Sequence, residues 1–137
     1  MLVCSFKSGQ NCICTLLLGN IKAFFTSDIG LRMMKSRNIN REKPFQISIS
    51  AKEYDPSLSD NSMGDTVILQ GIIDCFFEEA DGFVLLDYKT DRVKNSALEI
   101  KHRYAKQLEL YKKAIEELTK KTVKECYLYL FDTGEIT

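Results

Sequence analysis

The sequence predicts a mixed α/β (α+β) fold in which helices flank a central mixed sheet, in the order α-β-β-β-α-β. Three observations support this prediction. Two apolar runs, residues 66–78 and 83–90, have the composition of strands and are joined by a short turn-rich segment. A stretch with helical periodicity follows, and the apolar run at residues 123–131 predicts a closing strand. A chain of 137 residues suffices for one domain with a single core.

The N-terminal part of the chain is the hardest to interpret. Residues 1–20 are apolar and cysteine-rich without a clear period, so we leave them unassigned and place a single domain at residues 21–137. From Ile21 to about Arg37, apolar residues recur at helical spacing and predict an amphipathic helix, which Gly30 weakens.

A strand and a loop are predicted next. After Pro44, apolar residues alternate with polar ones over residues 45–49, which is typical of a half-buried strand. Residues 54–65 are rich in turn-forming residues and predict a loop.

The two apolar runs predict a hairpin, because Asp81-Gly82 between two strands is a strong turn signal. Both runs are apolar on both faces, so we expect them to lie centrally in the sheet. A two-residue turn at Asp81-Gly82 sets Asp74 opposite Lys89, and a second register sets Asp74 opposite Asp87. In either register, Asp74, Asp87 and Lys89 share one surface.

A long helix is predicted after the hairpin. Ser96 and Glu99 form a capping-box pattern at its start. Apolar and aromatic residues then recur at spacings of four and three along one face: Tyr104, Leu108, Tyr111, Ile115 and Leu118.

The candidate chemistry lies in Asp87-Tyr88-Lys89, a D-x-K triplet on a strand. Alternation places Asp87 and Lys89 on one face and turns Tyr88 away. Two carboxylates, Asp74 and Asp87, on an otherwise apolar strand pair need a counter-ion, and their oxygens suit Mg²⁺, with Mn²⁺ next. The other interpretation is a buried ion pair between Asp87 and Lys89. If the D-x-K triplet is considered by itself, it favours this second interpretation.

Two residues of the late helix favour a catalytic site. Gln107 and Tyr111 are spaced i, i+4 and therefore share one helical face. Without a catalytic role, Tyr111 is a core aromatic and Gln107 a surface amide.

Charge is unevenly distributed along a chain whose formal net charge is zero. Residues 89–124 contain eleven Lys and Arg against five Asp and Glu, and a basic stripe beside carboxylates suits a polyanion. Charge alone favours a solvated, lysine-rich helix face. The candidate DNA-binding residues of this segment are Arg92, Lys94, Arg103 and Lys106.

Five cysteines, without a C-x-x-C pair, favour reduced thiols and a cytoplasmic location over a disulfide framework. No apolar run approaches the length of a membrane span, so no membrane partner is expected.

Three segments together resemble the RecB-like branch of the PD-(D/E)xK nucleases, and within it the C-terminal nuclease domains of AddA-type subunits of bacterial helicase–nucleases. The segments are Gly71–Asp74, Asp87–Asp91 and Gln107–Tyr111. Weaker similarity surrounds Phe24–Ser27, with Gly30 and Arg32, and Arg41–Phe45. The resemblance covers roughly residues 21–131.

This resemblance implies a restriction-endonuclease-like core and a DNA exonuclease. Asp74 and Asp87 would bind Mg²⁺, or Mn²⁺, with help from the Tyr88 backbone carbonyl. Lys89 would be the catalytic lysine, and Gln107 and Tyr111 would complete the catalytic set. The partners implied are DNA with linear ends and single-stranded products, the helicase portion of a parent protein that resects double-strand breaks during recombinational repair, and an AddB-type subunit.

The chain departs from the family pattern in three ways. RecB-like nucleases carry a metal-binding histidine on an early helix, whereas the only histidine here is His102, on the late helix. A catalytically weak DNA-binding or scaffold domain therefore stays an alternative, as does a stand-alone RecB-like nuclease. Only Cys126 lies downstream of the site, so no iron–sulfur cluster is expected, and the absence of a phosphate loop argues against ATPase or helicase activity in this chain.

Overall fold

Strands that are apolar on both faces form the centre of the molecule. The structure is a computed structural model that describes residues 11–58, 64–90 and 97–137. Its elements are, in chain order, α1 (Asn11–Thr26), α2 (Asp28–Lys35), β1 (Ile39–Ser50), α3 (Ala51–Tyr54), β2 (Thr66–Glu79), β3 (Gly82–Lys89), α4 (Ala97–Thr119), β4 (Val123–Leu130) and β5 (Glu135–Ile136).

The five strands form one mixed sheet in the order β1-β2-β3-β4-β5. Only the β3–β4 pair is parallel, and α4 supplies the long connection that a parallel pair requires. The mixed α/β class is confirmed, as is the central position of β2 and β3. The short elements α3 and β5 were not predicted, and the strand expected at residues 45–49 extends over all of β1.

Helices cover both faces of the sheet. On one face, Leu108, Ala114 and Ile115 of α4 pack on a core cluster that includes Phe83 and Leu85 of β3. On the other face, α1 and α2 pack on a second cluster through Phe24, Ile29 and Met33.

The last apolar residue of the face predicted for α4 is not buried. Leu118 is 49% exposed, although it continues the spacing of four and three that begins at Tyr104. That spacing averages 3.5 residues, whereas a helix turns once in 3.6 residues, so the pattern drifts around a straight helix by about 20° per heptad. Leu118 nevertheless lies between the fully buried Ala114 and Ile115 around the helix axis, so its exposure comes with its position in the last turn of α4 and not with rotation off the buried face.

The helix expected from Ile21 to Arg37 is two helices, because Ser27 ends one and caps the next. Its hydroxyl accepts the Gly30 N–H at 3.2 Å and donates to the Phe24 carbonyl at 2.6 Å. A Cβ on Gly30 would lie 2.0 Å from the Phe24 oxygen, so Gly30 permits the close approach of the two helices. Helix α1 begins at Asn11, within the segment left unassigned from the sequence.

The hairpin adopts the second of the two registers considered. Glu79 pairs with Gly82 and Cys75 with Leu86, so the turn is Ala80-Asp81, and the turn expected at Asp81-Gly82 was wrong. Gly82 has a φ of 146°, and a Cβ there would lie 2.6 Å from the Thr122 carbonyl. The glycine is needed for close contact with the chain entering β4 rather than for the turn.

An ion-pair network fixes α2 to this end of the hairpin. The Arg32 guanidinium donates two hydrogen bonds to Glu79, of 2.9 and 2.8 Å, and lies 2.7 Å from Glu125. Lys124 contacts Glu79 as well, at 2.6 Å. These cations hold the pKa of Glu79 down at about 2. Bidentate geometry makes this network stronger than isolated surface pairs.

In the described part of the chain, no helix combines the length and the hydropathy that a membrane crossing requires. The capping residue Ser96 lies outside the described residues, so the predicted cap of α4 stays a prediction.

Candidate active site

Strand β3 places Asp87 and Lys89 together beneath α4. The alternation of β3 is regular: Phe83 and Leu85 belong to the cluster under α4, and Val84 and Leu86 belong to the opposite one. Tyr88 follows the second set and packs edge-on against Phe24, with ring centroids 5.7 Å apart. The prediction that Tyr88 points away from its two neighbours is confirmed.

Asp74 lies where β2 separates from β3. The backbone ladder between the two strands ends at the pair Cys75–Leu86, one residue before Asp74 would face Asp87. The Asp74 carboxylate accepts the Tyr88 N–H at 3.0 Å and so takes the place of a ladder carbonyl. Asp74 and Asp87 lie just beyond this last pair, where the Asp74 carboxylate is close enough to raise the pKa of Asp87.

The same position marks a change of face in β2. Ile73 packs in the cluster under α4, whereas Cys75 packs in the opposite cluster, although residues two apart normally share a face. On β1, the ladder pairs Arg41 with Cys75 and Lys43 with Ile73 but skips Glu42 between them, whose φ of 47° is in the left-handed region. Irregular strand geometry of this kind redirects side chains, and here it occurs at a candidate ligand.

Helix α4 reaches the site through Gln107. Its amide oxygen accepts a hydrogen bond of 3.0 Å from the Lys89 ammonium, and its amide nitrogen donates to the Tyr111 hydroxyl at 2.7 Å. The Tyr111 ring packs edge-on against Phe45 of β1 at 5.6 Å. Phe45 faces Gly71, where a Cβ would lie only 3.0 Å from the Phe45 ring. A continuous series of contacts thus links Gly71 to Lys89.

Asp87 is the one charged residue that is fully buried among the described residues, at 1% exposure. Burial raises the pKa of its carboxyl, the Asp74 carboxylate raises it further, and the Lys89 ammonium opposes both. Lys89 Nζ lies 2.7 Å from Oδ2, yet in the described part of the chain no donor is aligned with that oxygen for a hydrogen bond.

These observations fit a divalent cation. The buried Asp87 carboxylate has the Asp74 carboxylate beside it and the Lys89 ammonium against Oδ2. One ammonium leaves one of the two negative charges uncompensated, and carboxylate oxygens are the hard ligands that a divalent cation prefers. The described residues contain no group of three or more His, Cys, Asp and Glu side chains close enough to bind a metal.

Sequence reasoning missed one residue of the site. The Lys89 ammonium lies 4.3 Å from the centroid of the Tyr104 ring. Tyr104 precedes Gln107 by three residues, so the same i, i+3 spacing that defines one face of a helix could have identified it. It was predicted only as part of the apolar face of α4.

The candidate DNA-binding residues divide into two pairs. Arg103 and Lys106 are exposed on α4, and Lys106 lies 3.5 Å from Glu109. Arg92 and Lys94 lie outside the described residues.

Comparison with known proteins identifies the family of this chain. A family profile described as the PD-(D/E)XK nuclease superfamily matches residues 22–136, and the chain belongs to that superfamily. The chain is similar to proteins named as the A subunits of ATP-dependent helicase/nucleases, which confirms the resemblance to the AddA type.

The similarity to these relatives is close but local. The relative from Thermoanaerobacter sp. (strain X514) is 50% identical over 117 residues, which is 85% of this chain and 10% of the relative. The relative from Clostridium botulinum (strain 657 / Type Ba4) is 54% identical over 112 residues, 81% of this chain and 9% of the relative. The relative from Ruminiclostridium cellulolyticum is 49% identical over 118 residues, with 85% and 10% covered. The chain thus spans about a tenth of the length of these relatives.

Proposed function

We propose that this chain is a Mg²⁺-dependent DNA exonuclease domain whose metal is bound by Asp74, Asp87 and the backbone carbonyl of Tyr88. The observation that carries the proposal is the buried Asp87 carboxylate beside Asp74, at the point where β2 and β3 separate. The Lys89 ammonium offsets only one of the two negative charges. Keeping a second carboxylate there is costly, and such a cost is typical of a functional site.

The direction of the peptide groups supports the Tyr88 carbonyl as a ligand. In a strand, the N–H and C=O of one residue point to the same neighbouring strand. The Tyr88 N–H points to Asp74 on β2, and the Lys89 carbonyl accepts the Phe131 N–H at 2.9 Å on the opposite side. The Tyr88 carbonyl is therefore directed towards the side of β3 on which Asp74 lies.

The residues of this chain then have distinct roles in phosphodiester hydrolysis. A bound divalent ion supplies an activated water and neutralises charge on the phosphate and the leaving oxygen. Lys89 directs its ammonium at the attacking water or at the charge that develops on phosphorus. Gln107 positions that ammonium by accepting its hydrogen bond, and Tyr111 positions Gln107 by accepting a hydrogen bond from its amide nitrogen.

We infer the DNA substrate and the protein partners of the domain from the names of the relatives and from exposed basic residues. Arg103 and Lys106 on α4, with Arg92 and Lys94, would contact the phosphates of linear DNA ends and single-stranded products. The relatives' name implies a helicase portion in the same parent protein, and we propose that its partner is an AddB-type subunit. We place the domain at residues 21–137 and its activity in cytoplasmic end resection at double-strand breaks.

Cleavage of end-labelled linear DNA tests the proposal. The wild-type chain should release label in Mg²⁺ but not in EDTA, and should leave covalently closed circular DNA intact. Asp87→Asn should reduce the rate below about a hundredth of the wild-type rate, because a metal ligand is lost. Asp81→Asn, which changes an exposed carboxylate at the hairpin turn, is the matched control and should cleave normally. Equal cleavage by wild type and Asp87→Asn would contradict the proposal.

A second candidate is a DNA-binding scaffold domain of the same fold with little or no turnover. One observation favours it: only two carboxylates, and no third metal-binding side chain, lie together among the described residues. A gel shift of linear DNA without cleavage, in both Mg²⁺ and Mn²⁺, would support this candidate over the exonuclease.

A further inference from the structure

The Lys89 ammonium is held by three different groups. Asp87 Oδ2 lies 2.7 Å away, Gln107 Oε1 accepts its hydrogen bond at 3.0 Å, and the Tyr104 ring centroid lies 4.3 Å away. Its side chain is 15% exposed, so water covers only a small part of it. The proposed function accounts for the first two groups and leaves the ring without a role.

The ring offers the ammonium a kind of contact that the two oxygens do not. An aromatic face attracts the whole positive charge, and the attraction grows when water is excluded. It does not require one particular N–H bond, so the ammonium keeps a proton free to donate to water or phosphate. A lysine side chain has many rotamers, and a contact on a third side removes most of them.

The helix places the Tyr104 ring and the Gln107 amide on the same side of Lys89. Tyr104 and Gln107 are one turn apart on α4 and approach Lys89 from the same face. Any displacement of this turn would move both contacts together. We propose that Tyr104 is a positioning residue for Lys89 and acts through its aromatic face rather than through its hydroxyl. This inference rests on the proposed function, in which Lys89 acts on the scissile phosphate.

Tyr104 also packs against the core cluster under α4, so a purely structural role must be separated from a positioning role. Two substitutions do this. Tyr104→Phe keeps the ring and removes the hydroxyl, whereas Tyr104→Leu keeps apolar packing and removes the ring. A structural role predicts similar behaviour of the two variants, and a positioning role predicts that only the leucine variant fails.

The first readout is steady-state kinetics on linear DNA in Mg²⁺. Tyr104→Phe should retain the wild-type kcat within about twofold, and Tyr104→Leu should lower kcat about tenfold with KM little changed, because only the charge-stabilising contact is lost. In a Lys89→Met background, Tyr104→Leu should have no further effect. Wild-type kcat in Tyr104→Leu, equal losses in both variants, or a change confined to KM would each overturn the inference.

The second readout does not depend on catalysis. A ring above the Lys89 ammonium shifts the NMR signals of the neighbouring ε-methylene protons upfield. That shift should be present in the wild-type chain and in Tyr104→Phe and absent in Tyr104→Leu. If the wild-type chain cleaves no DNA, the proposed function fails while this measurement still decides the placement of Lys89. An unshifted signal in the wild-type chain would overturn the inference by itself.

Discussion

The Asp74 carboxylate accepts the backbone N–H of Tyr88 at 3.0 Å. This hydrogen bond lies just beyond the last backbone pair of the β2–β3 ladder, so a side chain satisfies a donor that a strand would otherwise satisfy. One oxygen of Asp74 is thereby committed to the backbone, which orients the other. The bond gives Asp74 a structural role as well as its proposed metal-binding role, and the two roles can be separated.

Asp74→Asn and Asp74→Ala should both abolish metal-dependent cleavage, but only Ala should destabilise the fold through the lost bond. Asn retains an oxygen that can accept the Tyr88 N–H, whereas Ala leaves that donor unsatisfied, at a cost of about 1–3 kcal/mol. Both substitutions relieve repulsion with Asp87 equally, so the difference between them isolates the hydrogen bond. Urea denaturation measures it, and equal midpoints for the two variants would contradict this account.

Divalent cations should raise the melting temperature of the wild-type chain by several degrees and that of Asp87→Asn by almost nothing. A cation that binds only the folded state stabilises it by RT ln(1 + L/Kd), where L is the free cation concentration, so the stabilisation grows with that concentration. Differential scanning fluorimetry with increasing Mn²⁺ is the measurement. Asp81→Asn should respond like wild type, because that carboxylate is exposed and paired with Lys124 instead. A normal Mn²⁺ response in Asp87→Asn would show that the cation binds elsewhere.

Gly71→Ala should reduce activity through the contacts that link it to Lys89. The new methyl group would press on the Phe45 ring, which supports Tyr111. Because small displacements of a reacting group slow catalysis strongly, we expect kcat to fall by about ten- to a hundredfold. The compensating substitution Phe45→Leu, combined with Gly71→Ala, should recover part of the loss. Single-turnover cleavage measures both effects, and a fully active Gly71→Ala chain would exclude this series of contacts as a support for the site.

Acid should destabilise the wild-type chain through Glu79. The Arg32 guanidinium is the main cause of the low pKa of Glu79, about 2 in the folded chain against an ordinary value of 4.5. A depressed pKa stabilises the fold above the unfolded value, and this stabilisation is lost as pH falls from about 4.5 towards 2. Glu79→Gln should lack that part of the decline in unfolding free energy.

Urea midpoints between pH 6 and pH 2.5 measure this decline. Glu117→Gln, which changes an exposed glutamate on α4, is the control and should follow the wild-type curve. If Glu79→Gln and wild type declined in parallel, the network around Arg32 would not contribute to acid stability.

Local patterns were enough to place much of the site. Alternation in β3 put Asp87 and Lys89 on one face, and the i, i+4 spacing in α4 put Gln107 and Tyr111 together, because both periodicities belong to the element alone. Apolar composition on both faces was likewise enough to place β2 and β3 in the middle of the sheet.

Other features depend on residues that are distant in sequence. In the register that the hairpin adopts, Gly82 lies against the Thr122 carbonyl, forty residues away along the chain. The break at Ser27 depends on how closely Gly30 lets two helices approach. Leu118 continues the apolar pattern of α4, yet it lies beyond the part of the helix face that the sheet covers.

By itself, the sequence determined which residue types could share a face and which chemistry they could support. Only the tertiary structure decided that β2 changes face and leaves β3 at Asp74, and that the Tyr104 ring lies over Lys89. The physical reason is that periodicity is set by the backbone of one element, whereas register, strand separation and ring placement are set by contacts between elements.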